Sequence, residues 1–164
     1  MRKAVAGDLP GIMKVMLDTI KEMRDYNNTQ WDETYPCESD FAADIEAGEL
    51  YVAERGGKLA GFICINRIEP HEYAVVPWSR ESAALVIHRM AVDSTYRGQG
   101  VGAELVGYAG ALADHFRIDY LKTDTYSLNT NAQKLFEGCG YRQAGTMNFR
   151  GKEKPFICYE KSLV

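Results

Sequence analysis

Residues 93–112 read DSTYRGQGVGAELVGYAGAL: a polar segment ending in Arg97, glycines at 98, 100 and 102, then an apolar run. Glycine loses more conformational freedom on ordering than any other residue, so three in five positions need a cause. One cause is a backbone that must approach a bulky anion. Another is a flexible helix start with no ligand. Downstream, Val101, Leu105, Tyr108, Leu112 and Phe116 recur at helical spacing. Upstream, ALVIHRMAV (84–92) is β-rich and ends at Val92. The glycines therefore lie between a strand and a helix. The first N–H groups of that helix have no intrahelical partner and offer themselves to an anion. Arg97 adds a planar fork of donors suited to phosphate oxygens.

The text GQGVGA (98–103) also satisfies G-x-G-x-x-G/A, the dinucleotide fingerprint, with Asp119 and Asp124 about twenty residues further on. Two features argue against that reading. The polar spacer DSTYR separates Val92 from Gly98, whereas in the fingerprint the strand runs straight into the first glycine. Only 62 residues follow Gly102, too few for two βαβαβ halves.

Working outward, Asp8 reads as an N-cap with Pro10 in the first turn, followed by Ile12, Val15, Met16, Ile20 and Met23 on one helical face. YNNTQWDETYPCES (26–39) reads as a loop, and a short helix with Phe41 and Ile45 stops at Gly48. LYVAE (50–54) and KLAGFICIN (58–66) read as a hairpin turning at RGG. A second irregular, aromatic stretch (67–83) precedes the strand that ends at Val92. YLKTDT (120–125) is a strand. Ala132, Leu135, Phe136 and Cys139 form a helical stripe, and two strands close the chain around the turn RGKEKP (150–155). Interleaved helices and strands predict a mixed sheet covered on both faces.

The 164 residues suit one domain, 1–164, with 46% hydrophobic and 26% charged residues, as in a soluble globular protein. A net charge of −4 gives no electrostatic case for nucleic acid or an anionic membrane. The first twenty residues mix charges with apolar residues, so no export signal is expected. No apolar run approaches the ~18 residues of a membrane span. Cys37, Cys64, Cys139 and Cys158 are far apart with no C-x-x-C pair, which predicts reduced thiols in a cytoplasmic protein and no metal site.

Val92 to Gly102 fit V-x-x-x-x-R/Q-x-x-G-x-G/A. NTNAQKLFEGCGY (129–141) fits N-x-x-A-x-x-L-Y-x-x-x-G-F/Y except at the tyrosine, which is Phe136. Together they resemble the GNAT superfamily of N-acetyltransferases, which move an acetyl group from acetyl-CoA to an amine. The resemblance implies an α/β fold of the α+β type. Its sheet would have six to seven mostly antiparallel strands, splayed in the middle, with helices on both faces. It also implies that the pantetheine arm lies along Met90, Ala91 and Val92, whose main-chain N–H groups steady the oxyanion. The pyrophosphate would meet Arg97, Gly98, Gln99, Gly100, Val101 and Gly102. Asn129 would touch the pantetheine arm, although Asn is also a favoured helix N-cap. Phe136 would lie beside the cofactor, or else belong to the helix's core stripe.

The implied reaction is direct attack of a primary amine on acetyl-CoA within a ternary complex. The amine would belong to a small molecule, an amino acid or a peptide. A non-catalytic CoA- or acyl-CoA-binding module is the alternative, kept open by Phe136. An alkylamine of pKa near ~10 must lose a proton before it attacks. His88 is the first candidate for general base, because HRMAV matches a family arrangement, with Glu69, Glu72 and Glu81 as rivals. It could equally fill a half-buried strand position. Tyr126, or else Tyr141, could replace the missing tyrosine as proton donor. Trp31, Tyr35 and Trp78 would wall the acceptor pocket, and Asp32, Glu33 and Glu72 would suit a cationic amine. No nucleic-acid or membrane partner is expected, and a homodimer is compatible with the resemblance.

Overall fold

Ile12, Val15, Met16, Ile20 and Met23 form one buried face of α1 (Leu9–Asp25), as their spacing predicts. The start of this helix departs from expectation. Asp8 has helical backbone angles, so its carboxylate cannot reach forward to cap α1. It accepts from Val5 N and from Arg2 instead, closing the 3-10 turn Ala6–Asp8. The computed structural model describes residues 1–163.

The remaining elements are β1 (Arg2–Lys3), α2 (Glu38–Glu46), β2 (Leu50–Arg55), β3 (Lys58–Asn66), β4 (Leu85–Val92) and α3 (Val101–Phe116). β5 (Tyr120–Tyr126), α4 (Thr130–Gly138), β6 (Arg142–Met147) and β7 (Phe156–Ser162) complete the chain. The strands make one open seven-stranded sheet in the order β1-β2-β3-β4-β5-β7-β6. Every neighbouring pair is antiparallel except β4–β5, whose parallel pairing needs the crossover supplied by α3.

Alternation along β3 divides the core. Phe62 and Cys64 face α1 and α2 with Trp31 and Phe41, while Ile63 and Ile65 face α3 with Leu105, Leu121 and Phe136. A third cluster, Tyr73, Val76, Tyr126 and Phe156, seats segment 67–84 on β5 and β7. Among the described residues, no helix is long and apolar enough to cross a membrane.

Two irregularities in β4 create the site. β4 and β5 pair only from Leu85–Ile87 to Leu121–Thr123, where Thr123 Oγ1 donates to Ile87 O at 3.0 Å. Beyond that point the strands part. A register shift also separates the pairs Ile63–Met90 and Ile65–Ile87, so β4 carries one extra residue at His88–Arg89. Such a bulge breaks the alternation of side chains and re-aims them.

Candidate active site

Where β4 and β5 part, a cleft of about 540 Å³ opens between α1 and α4. Met90, Ala91 and Val92 form its floor, and past Ile87 the edge of β4 that faces β5 has no strand partner there. Arg97, Gly98, Gly100, Val101 and Gly102 form one end, and Asn129 lies on the α4 side. Gly98 (φ +71) and Gly100 (φ +80) adopt the left-handed backbone that glycine favours. An added Cβ at either would meet nothing within 4 Å, so both border open space. Gly102 has a different cause: a Cβ there would lie 3.3 Å from Leu135 Cδ2, so it lets α3 approach α4. The first N–H groups of α3 have no helical partner, and together with the glycine turn they fit a diphosphate. Arg97 bridges Val92 O at 3.3 Å and pairs with Glu22 across the mouth.

A second cavity, of about 290 Å³, lies on the α1/α2 face of the sheet. Trp31, Tyr35, Phe149 and Phe156 supply apolar walls; Gln30, Glu72, His88, Asp124 and Arg150 supply polar ones. Gln30 joins the two cavities, since its Oε1 accepts from Thr125 Oγ1 at 3.0 Å, Tyr126 N at 3.3 Å and Asn129 Nδ2 at 2.8 Å.

The bulge turns His88 toward Asn66, with Nε2 to Oδ1 at 2.6 Å. Asn66 is itself oriented: its Nδ2 donates to Glu49 at 2.8 Å and its Oδ1 accepts from Ile68 N at 2.9 Å. Nε2 must therefore carry the proton, which leaves Nδ1 as the basic nitrogen. Burial, then the charges of Arg89 and Arg150, hold the imidazole down to about 4. Asp124 lines the same pocket, partly open to it and otherwise enclosed by protein. Burial pushes its carboxyl up to about 7, against the Tyr73 hydroxyl, which donates to Oδ1 at 3.3 Å, and against Arg150.

A family model for the acetyltransferase (GNAT) family matches residues 20–141, three quarters of the chain. The chain belongs to that family. Its relatives include YesJ of Bacillus subtilis strain 168, an uncharacterized N-acetyltransferase. YesJ is 26% identical over 110 residues, a match that covers 65% of this chain and 61% of YesJ. A GNAT acetyltransferase from Streptococcus agalactiae 2603 has the same fold, with a TM-score of 0.86 and 22% identity over 98% of this chain and 93% of that one. So does yncA from Salmonella typhimurium, solved with its cofactor acetyl-CoA. There the TM-score is 0.72 and the identity 14%, over 99% of this chain and 92% of that one.

Against the GNAT motifs, several residues lie elsewhere than the sequence suggests. Gln99 is exposed outside the cleft, its Nε2 donating to Thr95 O at 3.0 Å. Phe136 does not line the cleft; it packs in the core with ring centroids 5.7 Å from Tyr141 and 5.8 Å from Tyr159. Asn129 both lines the cleft and caps α4, its Oδ1 accepting from Ala132 N at 3.2 Å. Tyr126 lines neither cavity, because its hydroxyl accepts from Lys154 N at 3.1 Å and its ring packs on Phe156. The Tyr141 hydroxyl is buried without a partner, and burial pushes its phenol up.

Trp31 and Tyr35 meet at the smaller pocket, but Trp78 does not join them. Trp78 lines a third cavity, beneath the Lys122 ammonium at 4.7 Å, with its indole N–H donating to Tyr73 O at 3.0 Å. Glu69 pairs with Lys122 and Asp32 with Lys152, while Glu33 pairs with Arg24. Glu81 lies at the third cavity, so Glu72 alone of these acids reaches the smaller pocket. Sequence reasoning met Asp124 only as an acid of the rejected dinucleotide fingerprint and passed over Arg150. Strand alternation could have flagged Asp124, which shares a face of β5 with the buried Tyr120, Lys122 and Tyr126.

Proposed function

We propose that the chain transfers an acetyl group from acetyl-CoA to a primary amine held in the smaller pocket, with Asp124 as general base. The observation that carries this reading is a carboxyl lining a pocket that is tied, through Gln30 and Asn129, to a cleft whose glycine turn and helix start fit a diphosphate. Membership of the GNAT family supports acetyl-CoA as the second substrate, as does the fold shared with yncA.

Magnitudes choose between the two candidate bases. Moving a proton from an amine of pKa ~10 to a carboxylate near 7 costs about 4 kcal/mol; moving it to an imidazole near 4 costs about 8 kcal/mol. Asp124 is also near the optimum for a base working at neutral pH. His88, fixed by Asn66, orients the pocket and stays uncharged there. Acetyl-CoA supplies the activated acyl carbon and a thiolate leaving group, whose reference thiol pKa of ~8.5 tolerates departure without a tyrosine donor. Main-chain N–H groups of Met90 and Val92, on the edge of β4 without a strand partner, would donate to the developing oxyanion. Arg97 and the α3 N-terminus hold the diphosphate.

The test is calorimetry with CoA, acetyl-CoA and NAD, followed by thiol release from acetyl-CoA over a panel of primary amines. CoA and acetyl-CoA bind, NAD does not, and at least one amine releases thiol. Absence of CoA binding would overturn the reading.

A further inference from the structure

Seven of the described arginines, Arg2, Arg24, Arg55, Arg80, Arg89, Arg97 and Arg142, pair with carboxylates. Arg80 and Arg97 border the other two cavities, where they pair with Asp119 and Glu22. Arg150 is the exception: among the described residues it is the arginine that faces a cavity with no carboxylate partner. Its guanidinium carbon lies 3.3 Å from the centroid of the Tyr35 ring and 4.9 Å from that of Phe149. The Tyr35 ring is held in turn, because Arg89 Nη1 donates to its hydroxyl at 2.8 Å and Arg89 grips both oxygens of Asp44 at 2.6 and 2.8 Å. Stacking uses the face of the Arg150 guanidinium and leaves its edge, the fork that matches a carboxylate, free. Asp124 and Glu72 place negative charge in the same pocket, and the charge of Arg150 is felt at Asp124 and His88. The pocket thus carries a cation and carboxylates within a volume of about 290 Å³, the complement of a small zwitterion.

We propose that the acceptor is a free amino acid, whose carboxylate is held by Arg150 while its amino group faces Asp124; this rests on the acetyltransferase reading above.

The test measures kcat/KM for thiol release with the common amino acids, each beside its C-terminal amide, in the wild type, Arg150→Gln and Arg150→Lys. Calorimetry of the same compounds on the CoA-loaded protein accompanies it. The amide keeps the amine, lowers its basicity and removes the negative charge, so a preference for the free acid runs against amine reactivity. The wild type prefers at least one free acid over its amide, and Arg150→Gln erases that ratio by roughly 10- to 100-fold, the worth of a lost charge-assisted bidentate pair. Arg150→Lys restores part of it. If Arg150 only supported Tyr35, both compounds would weaken equally and the ratio would hold, which would overturn the proposal. Preference for the amides would overturn it in favour of a peptide N-terminus, leaving acetyl transfer intact. A CoA-loaded protein that binds and acetylates neither class would overturn the amino-acid proposal, while thiol release with another primary amine would leave acetyl transfer intact.

Discussion

The cleft beside α3 takes its polar surface from the backbone: the free edge of β4, the glycine turn and the first N–H groups of a helix. The smaller pocket takes its own from side chains far apart in sequence, Gln30, His88, Asp124 and Arg150, each held by a different element. The geometry of a backbone site follows from the fold. A side-chain site can change its ligand without changing the fold, because each wall is a separate residue on a shared frame. The comparison can be broken by substitutions that disable one cavity and spare the other.

Asp124→Asn should have the largest effect. Removing a general base costs roughly 10²- to 10⁴-fold in kcat, while calorimetric CoA affinity holds. The same variant has a stability signature. An unfolded aspartate titrates near ~3.9 and the native one near 7, so the unfolded state binds fewer protons between those values. Native stability therefore falls as pH rises from about 4 to about 7 and stays lowered above. Asn removes that penalty, so the gain in Tm over wild type should be larger at pH 8 than at pH 4.

Gly100→Asp attacks the other cavity. It sets a carboxylate beside the diphosphate and should weaken CoA binding on the order of 100-fold with the circular-dichroism spectrum preserved. Unchanged affinity would remove the glycine turn from the site. Gln30→Ala touches both cavities, because three donors lose their acceptor. It should cost about 1–3 kcal/mol in urea unfolding and raise KM for acetyl-CoA and amine together. A rise in only one KM would show that Gln30 is not the tie between them. His88→Gln should have the smallest effect, less than roughly tenfold in kcat/KM, since an imidazole held near 4 is a weak base at neutral pH.

How much the sequence disclosed follows the same division. The helical and alternating periodicities placed α1, the β2–β3 hairpin, β4, α3 and β5 within a few residues, because each is a local pattern. The V-x-x-x-x-R motif puts Met90 to Val92, Arg97, Gly98 and Gly100 to Gly102, though not Gln99, at one cleft because strand, turn and helix are contiguous in the chain. The smaller pocket depends on pairings that no local pattern encodes. Trp78, aromatic and in the expected segment, is carried past the pocket to cover Lys122 by the 67–84 segment. Phe136 follows its apolar stripe into the core rather than the family motif into the cleft. Arg150 lies in what reads as a plain turn, and only the β6–β7 connection brings it over Tyr35. His88, the residue HRMAV suggests as base, lines the smaller pocket, where burial and two neighbouring arginines hold its imidazole down to about 4.

The assignment of the base is the central claim, and the pH dependence of kcat/KM tests it most directly in wild type, Asp124→Asn and His88→Gln. A base held near 7 works only when ionised, so the wild-type profile should rise through about 7 and then level, apart from titration of the amine itself. That limb should persist in His88→Gln and vanish in Asp124→Asn. A limb that vanishes in His88→Gln and persists in Asp124→Asn would contradict the account.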